Sequence, residues 1–161
     1  MPIIPNNTSS SDYVYDPTTG QSVVTSTTWQ VSFWLFDLTR PHYVLYTDGT
    51  PPLSINYSPS AMQINDSVNA VNGTVTLTTG WTHFVITNVA GVVTMTQDGT
   101  ALSTNVATLI PTVFGASNIT LFRGGAIAYD LRIKDGTADV AAWTYYRNDV
   151  LNGGDITSFP A

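Results

Sequence analysis

The chain has 161 residues, 43% hydrophobic and only 10% charged, with a formal net charge of -6 at pH 7. That length fits one domain, large enough to bury a core without a metal or disulfide staple. The absence of cysteine excludes disulfides, Cys-zinc sites, iron–sulfur clusters and thiol chemistry. The acidic balance argues against a protein that tracks nucleic-acid phosphates.

No glutamate occurs, Lys134 is the sole lysine, and threonine, serine, valine and asparagine dominate. The residues that favour helix surfaces are nearly missing, so the composition is that of a β protein with a neutral, hydroxyl-rich surface. No apolar run approaches a bilayer span. Met1-Pro2-Ile3-Ile4-Pro5-Asn6 lacks the basic start and long apolar run of a signal peptide.

Residues 1–12 are polar, with two prolines and the run Asn6-Asn7-Thr8-Ser9-Ser10-Ser11. They read as a loose lead-in or an arm that orders on a neighbour, and Tyr13, Val14 and Tyr15 read as the start of a first strand. Residues 1–24 are therefore set apart as arm and first strand, and 25–161 as the domain. Over 28–37, Trp29, Val31, Phe33 and Leu35 alternate with Gln30, Ser32, Trp34 and Phe36, the period of a strand. Residues 42–47 alternate likewise, and Asp48-Gly49-Thr50-Pro51-Pro52 forces a turn.

Short strands are expected at 53–57 and 61–64 across Ser58-Pro59-Ser60. Another is expected at 75–78 after Asn72-Gly73, a strong hairpin dipeptide. A meander follows: 81–87, Ala90-Gly91, 92–97, Asp98-Gly99 and 100–106. Residues 119–122 and 126–134 read as late strands. One helix is expected near the C-terminus, capped by Thr137, with Asp139 at its positive end and Val140, Trp143, Tyr146 or Arg147, and Val150 at helical spacing. Gly153-Gly154 would end it. The sum is an all-β, antiparallel two-sheet sandwich with one short C-terminal helix.

Three segments carry a resemblance. Trp81-Thr82-His83-Phe84-Val85-Ile86-Thr87, the Ala90-Gly91 turn and Val93-Thr94-Met95-Thr96-Gln97-Asp98-Gly99 resemble the central hairpin of laminin-G-like domains, whose pattern is Trp-x-His-Val-Ala-Val, a Gly turn and a strand closing on Asp-Gly. Val31-Ser32-Phe33-Trp34-Leu35 resembles that family's early strand. Ala126-Ile127-Ala128-Tyr129-Asp130-Leu131-Arg132-Ile133 resembles its late strand. The resemblance spans about residues 25–151 and implies the concanavalin A-like jelly roll. It is not specific for function, because such folds host unrelated activities.

Catalysis finds little support. Enzymes of this fold that resemble laminarinases use two Glu on one strand, and this chain has none. No Asp-x-Asp or Asp-x-x-x-Asp pair falls on a predicted strand to supply the two carboxyls instead. No Gly-x-Ser-x-Gly elbow exists, and Arg123-Gly124-Gly125 is a bend, not a phosphate loop. His83, mid-strand between apolar neighbours, matches the family's structural histidine and reads as a hydrogen-bonded sheet residue. His42 reads as a surface residue.

Some laminin-G-like domains hold Ca²⁺ at the rim through Asp and carbonyl oxygens. Asp48 and Asp66 fall in suitable loops, but ordinary turn aspartates explain them better, and no cofactor is expected. Six Asn-x-Ser/Thr sequons, at Asn6, Asn7, Asn56, Asn65, Asn72 and Asn118, are what this composition produces unselected.

Carbohydrate binding is the serious site hypothesis, because sugars stack on aromatic faces and hydrogen-bond to amides, carboxylates and backbone. Phe33 and Trp34 must point to opposite faces; with Phe33 inward, Trp34 lies outside. Tyr43, Tyr46 and Tyr57 join it as candidates, with Asp48 at the loop. The more ordinary reading is that a helix, loop or neighbouring subunit covers Trp34. The expectation is a non-enzymatic virion-surface protein, a capsid decoration or spike of a bacteriophage. It would dock to other virion proteins through the N-terminal arm, be oligomeric or lattice-bound, and adhere to host surface glycans. The alternative is a carbohydrate-binding module of a secreted bacterial protein.

Overall fold

Strict alternation of burial lays down the sandwich. In the computed structural model, which describes residues 13–15, 26–36, 38–39, 41–47, 52–105, 119–121 and 128–147, Trp29, Val31, Phe33 and Leu35 are fully buried. Their neighbours Gln30, Ser32, Trp34 and Phe36 are half-buried on the opposite side of the same strand. A strand with one such face must lay it against a second layer.

The described residues hold twelve strands: β1 Tyr13–Tyr15, β2 Thr28–Phe36, β3 His42–Thr47, β4 Ser54–Ser58, β5 Ala61–Asn65, β6 Ala70–Thr74, β7 Trp81–Val89, β8 Val92–Gln97, β9 Thr100–Ala101, β10 Ile119–Leu121, β11 Ala128–Asp135 and β12 Ala138–Arg147. They form two six-stranded sheets, ordered β1-β10-β3-β4-β5-β6 and β12-β11-β2-β7-β8-β9, and every pairing is antiparallel.

Between the sheets lie Trp29, Phe33, Leu35, Leu53, Ile55, Met62, Ile64, Phe84, Ile86, Leu131 and Ile133, among others. Each fully buried side chain of this size contributes about 1.5–3 kcal/mol. Tyr57 of the first sheet meets Phe84 of the second with ring centroids 6.3 Å apart. The turns follow from their residues. Ala90-Gly91 and Asp98-Gly99 close two-residue hairpins with both central residues at positive φ, the turn whose twist matches the flanking strands.

The structure differs from the sequence expectation at the C-terminal helix, the Asn72-Gly73 turn, the strands at 75–78 and 100–106, and His42. The expected C-terminal helix is a strand: β12 pairs along β11 across the turn at Gly136-Thr137, with Gly136 at φ 59°. β-branched and aromatic residues at helical spacing also suit a strand that has a full-length partner, and here the partner wins. Asn72-Gly73 is not a turn but lies inside β6. Gly73 points inward, where an added Cβ would stand 2.9 Å from Met95 Sδ and 3.1 Å from Leu102 Cδ1.

The real turn sits earlier, at 66–69, and residues 75–78 are not a strand. Of the strand expected over 100–106, the described residues 100–105 form a strand at Thr100–Ala101. Beyond it, Thr104 makes an isolated bridge to Gly73. His42, expected on the surface, is buried. No helix of the described residues is long and apolar enough to cross a membrane.

Candidate ligand-binding site

The outer face of the second sheet gathers aromatics at one end. Trp34 on β2 lies directly opposite His83 on β7, and Phe36 opposite Trp81. The Trp34 and His83 rings stand 4.7 Å apart at 34°, and those of Phe36 and Trp81 5.4 Å apart at 61°. All four are half-buried, so each keeps ring surface open to a ligand. Cross-strand pairing of this kind fixes the rings, because directly opposed residues are the closest neighbours a sheet offers.

Carboxylates flank this platform. Asp98, exposed in the β8–β9 turn at φ 47°, accepts the His83 backbone N–H through Oδ1 at 2.9 Å and donates its own N–H to the His83 carbonyl at 2.8 Å. Asp130 sits at an irregularity in β11, at φ 47°, as expected of a bulge that re-aims a side chain. Both of its oxygens lie 3.1 Å from Arg132 Nε. Burial holds the His83 imidazole below its ordinary value of 6.5, against the opposing pull of Asp98 and then Asp130. At neutral pH this favours the uncharged ring, which carries one acceptor nitrogen.

Asp98 also borders a cleft of about 310 Å³ at the edge of the sandwich, lined by Thr74, Thr76, Gln97, Thr100, Ala101, Leu102 and Ser103. The wall is built by hydrogen bonds. The buried Gln97 amide donates to the Thr76 carbonyl at 2.7 Å and accepts the Thr76 N–H at 3.0 Å. The Thr74 N–H reaches the Ser103 carbonyl at 2.9 Å. The result is a hydroxyl-rich recess beside a carboxylate and an aromatic platform.

The other expected site residues do not join Trp34. Tyr43 and Tyr46 are 51% and 46% exposed, but on the outer face of the first sheet, across the sandwich. There Tyr43 heads a row of amides, Asn56, Gln63 and Asn72, in register, with Gln63 Nε2 donating to Asn72 Oδ1 at 2.8 Å. Tyr57 is buried at 1%, and its hydroxyl donates to the Leu38 carbonyl at 2.6 Å. It is a core residue, because β4 pairs so that Ile55 and Tyr57 both point inward. Asp48 lies outside the described residues.

Asp66 is buried, and its Oδ1 accepts the N–H groups of Val68 at 3.0 Å and Asn69 at 2.7 Å, closing the β5–β6 turn. Among the described residues no three His or Asp side chains gather as a metal site. Sequence reasoning left Phe36, Trp81, Asp98, Asp130 and Arg132 out of the site and gave His83 a purely structural role. Parity along β2 and β7 carried a signal for Phe36, Trp81 and His83; nothing local marked the bulge that aims Asp130.

No protein-family model matches the chain, and no curated protein sequence matches it. Solved structures do. The LG4–5 domains of the mouse laminin α1 chain align with a TM-score of 0.53 at 11% identity, over 84% of this chain and 44% of that one. A heptameric SAP-like pentraxin from Limulus polyphemus aligns at 0.51 and 13%, over 76% and 69%. Sheep galectin-11, solved with glycerol, aligns at 0.50 and 12%, over 81% and 99%. This chain thus spans less than half of the laminin fragment and nearly all of the galectin. At such identities the likeness is one of fold, and the fold of this chain is the laminin-G-like, concanavalin A-like jelly roll.

Proposed function

We propose that this chain is a non-enzymatic glycan-binding domain whose ligand lies on the outer face of the second sheet. The observation that carries the reading is the row Trp34 on β2, His83 on β7 and Asp98 in the β8–β9 turn, ending at the hydroxyl-lined cleft. The half-buried rings offer an apolar surface to sugar C–H groups, and Asp98, the His83 nitrogen and the cleft hydroxyls offer directional hydrogen bonds. Hydrolysis needs one carboxyl held protonated in a desolvated pocket opposite a second. Here Asp98 is exposed and Asp130 is bridged to Arg132, an arrangement that suits binding.

The hydroxyl-rich composition, poor in lysine and free of glutamate and cysteine, supports a virion surface as its setting, with residues 1–24 docking it to other virion proteins. A secreted bacterial carbohydrate-binding module is the alternative. Mass spectrometry of purified particles from the source separates the two. The binding reading is tested by screening the full chain against immobilised glycans. Trp34→Ala is expected to lose tenfold or more in affinity, about 1.4 kcal/mol, while Tyr43→Ala retains it. Wild-type affinity in Trp34→Ala would refute the site.

A further inference from the structure

We infer that the ligand is an uncharged oligosaccharide, with one sugar on the Trp34–His83 pair and the next in the cleft beside Asp98, and that acidic sugars are turned away. This rests on the reading of the same face as a glycan site.

The argument is one of charge and of shape. Asp98 borders the cleft and binds the His83 backbone N–H, so a carboxylate or sulfate seated there meets a negative charge. Among the described side chains, the cation nearest Trp34 is Arg132, opposite Ser32, and it is matched by Asp130. The Arg132 Nε is taken up by both Asp130 oxygens. Lys134 lies opposite Gln30, four residues along β2 from Trp34, or about 13 Å away at strand rise. Among the described residues lining the cleft none is cationic: their polar groups are the Thr74, Thr76, Thr100 and Ser103 hydroxyls, the Gln97 amide and the Asp98 carboxylate.

Gln97 spends both ends of its amide on Thr76, which leaves the hydroxyls and Asp98 to meet a ligand. Hydroxyls both donate and accept, which matches a polyol and gives an anion no countercharge. The whole chain, at -6, adds a repulsive background for anions. The platform and the cleft share Asp98, and the row from Trp34 to Asp98 crosses two strand spacings, about 10 Å. One ligand reaching from stacked ring to cleft is therefore longer than a single sugar.

The test uses the full chain and a panel of neutral oligosaccharides, each beside its sialylated, uronic-acid or sulfated counterpart. The expected result is binding to neutral members, with at least tenfold weaker binding to the acidic partner of the same chain. Asp98→Asn should narrow that gap several-fold. It keeps Oδ1 for the His83 N–H, and asparagine tolerates positive φ, so folding is preserved. Thr100→Val should weaken oligosaccharide binding and leave the monosaccharide unaffected.

Equal or stronger binding of acidic glycans, or a gap unchanged in Asp98→Asn, overturns the inference while the glycan site stands. Equal loss of monosaccharide and oligosaccharide in Thr100→Val overturns the cleft assignment. Binding to no member of the panel removes the site and this inference together.

Discussion

Tyr57→Phe separates a core tyrosine from a ligand-binding one, and its cost follows from the geometry. The ring stays, with its contacts to His42 and Phe84. What is lost is the hydroxyl that donates to the Leu38 carbonyl at 2.6 Å and accepts the Ser60 N–H at 3.3 Å. The Leu38 bond is buried, so water cannot replace it, and an orphaned buried partner costs about 1–3 kcal/mol. For a chain of this size each kcal/mol moves the melting midpoint by about 2–4 °C. The expected drop is therefore about 2–12 °C by thermal circular dichroism or calorimetry, with glycan binding unchanged.

Tyr43→Phe, at an exposed position, should move the midpoint by less than about 0.5 kcal/mol allows. A Tyr57→Phe protein as stable as wild type, or one that loses binding while keeping its stability, would refute the placement of Tyr57 in the core.

Gly73→Ala should destabilise by about 1–3 kcal/mol through overpacking, since its Cβ would press on Met95 and Leu102; Leu102→Ala in the same chain should recover part of the loss in urea titrations. Asp66→Ala strands the Val68 and Asn69 N–H groups and should cost about 2 kcal/mol or more, whereas Asp66→Asn keeps the accepting oxygen and most of the stability. His83 takes up its proton near 6.5 in the unfolded chain and only at lower pH in the folded one. Between those values the unfolded state holds more protons, so stability should fall as pH drops below about 6.5 and level off below the folded value. Midpoints measured from pH 7.5 to 5 should show that slope in wild type and not in His83→Gln, and glycan affinity should weaken only lower, as pH falls through the folded value where the ring itself takes up a proton.

The sandwich was legible because alternation in β2, β7 and β8 and the Ala90-Gly91 and Asp98-Gly99 turns are local signals. Trp34 was legible as an outer-face residue for the same reason: burying Phe33 leaves it no other side. What was not legible depends on partners distant in sequence. Residues 138–147 become a strand because β11 is there to pair with them, and Gly73 is a glycine because Met95 and Leu102 crowd it, not because the chain turns. Tyr57 and Tyr43 look alike in sequence, yet the register of β3 and β4 sends one inward and the other outward. The pairing of Trp34 with His83, and the bulge at Asp130, arise from how strands align, which composition does not encode.

The placement of the ligand is tested most directly by recording ¹H–¹⁵N spectra of the full chain while titrating in the best-binding member of the neutral glycan panel. The largest shifts are expected at the Trp34 and Trp81 indoles, at the His83 and Asp98 amides and at Thr100 and Ser103. Shifts concentrated instead at Tyr43, Tyr46, Asn56 and Gln63 would put the ligand on the opposite face and contradict the site.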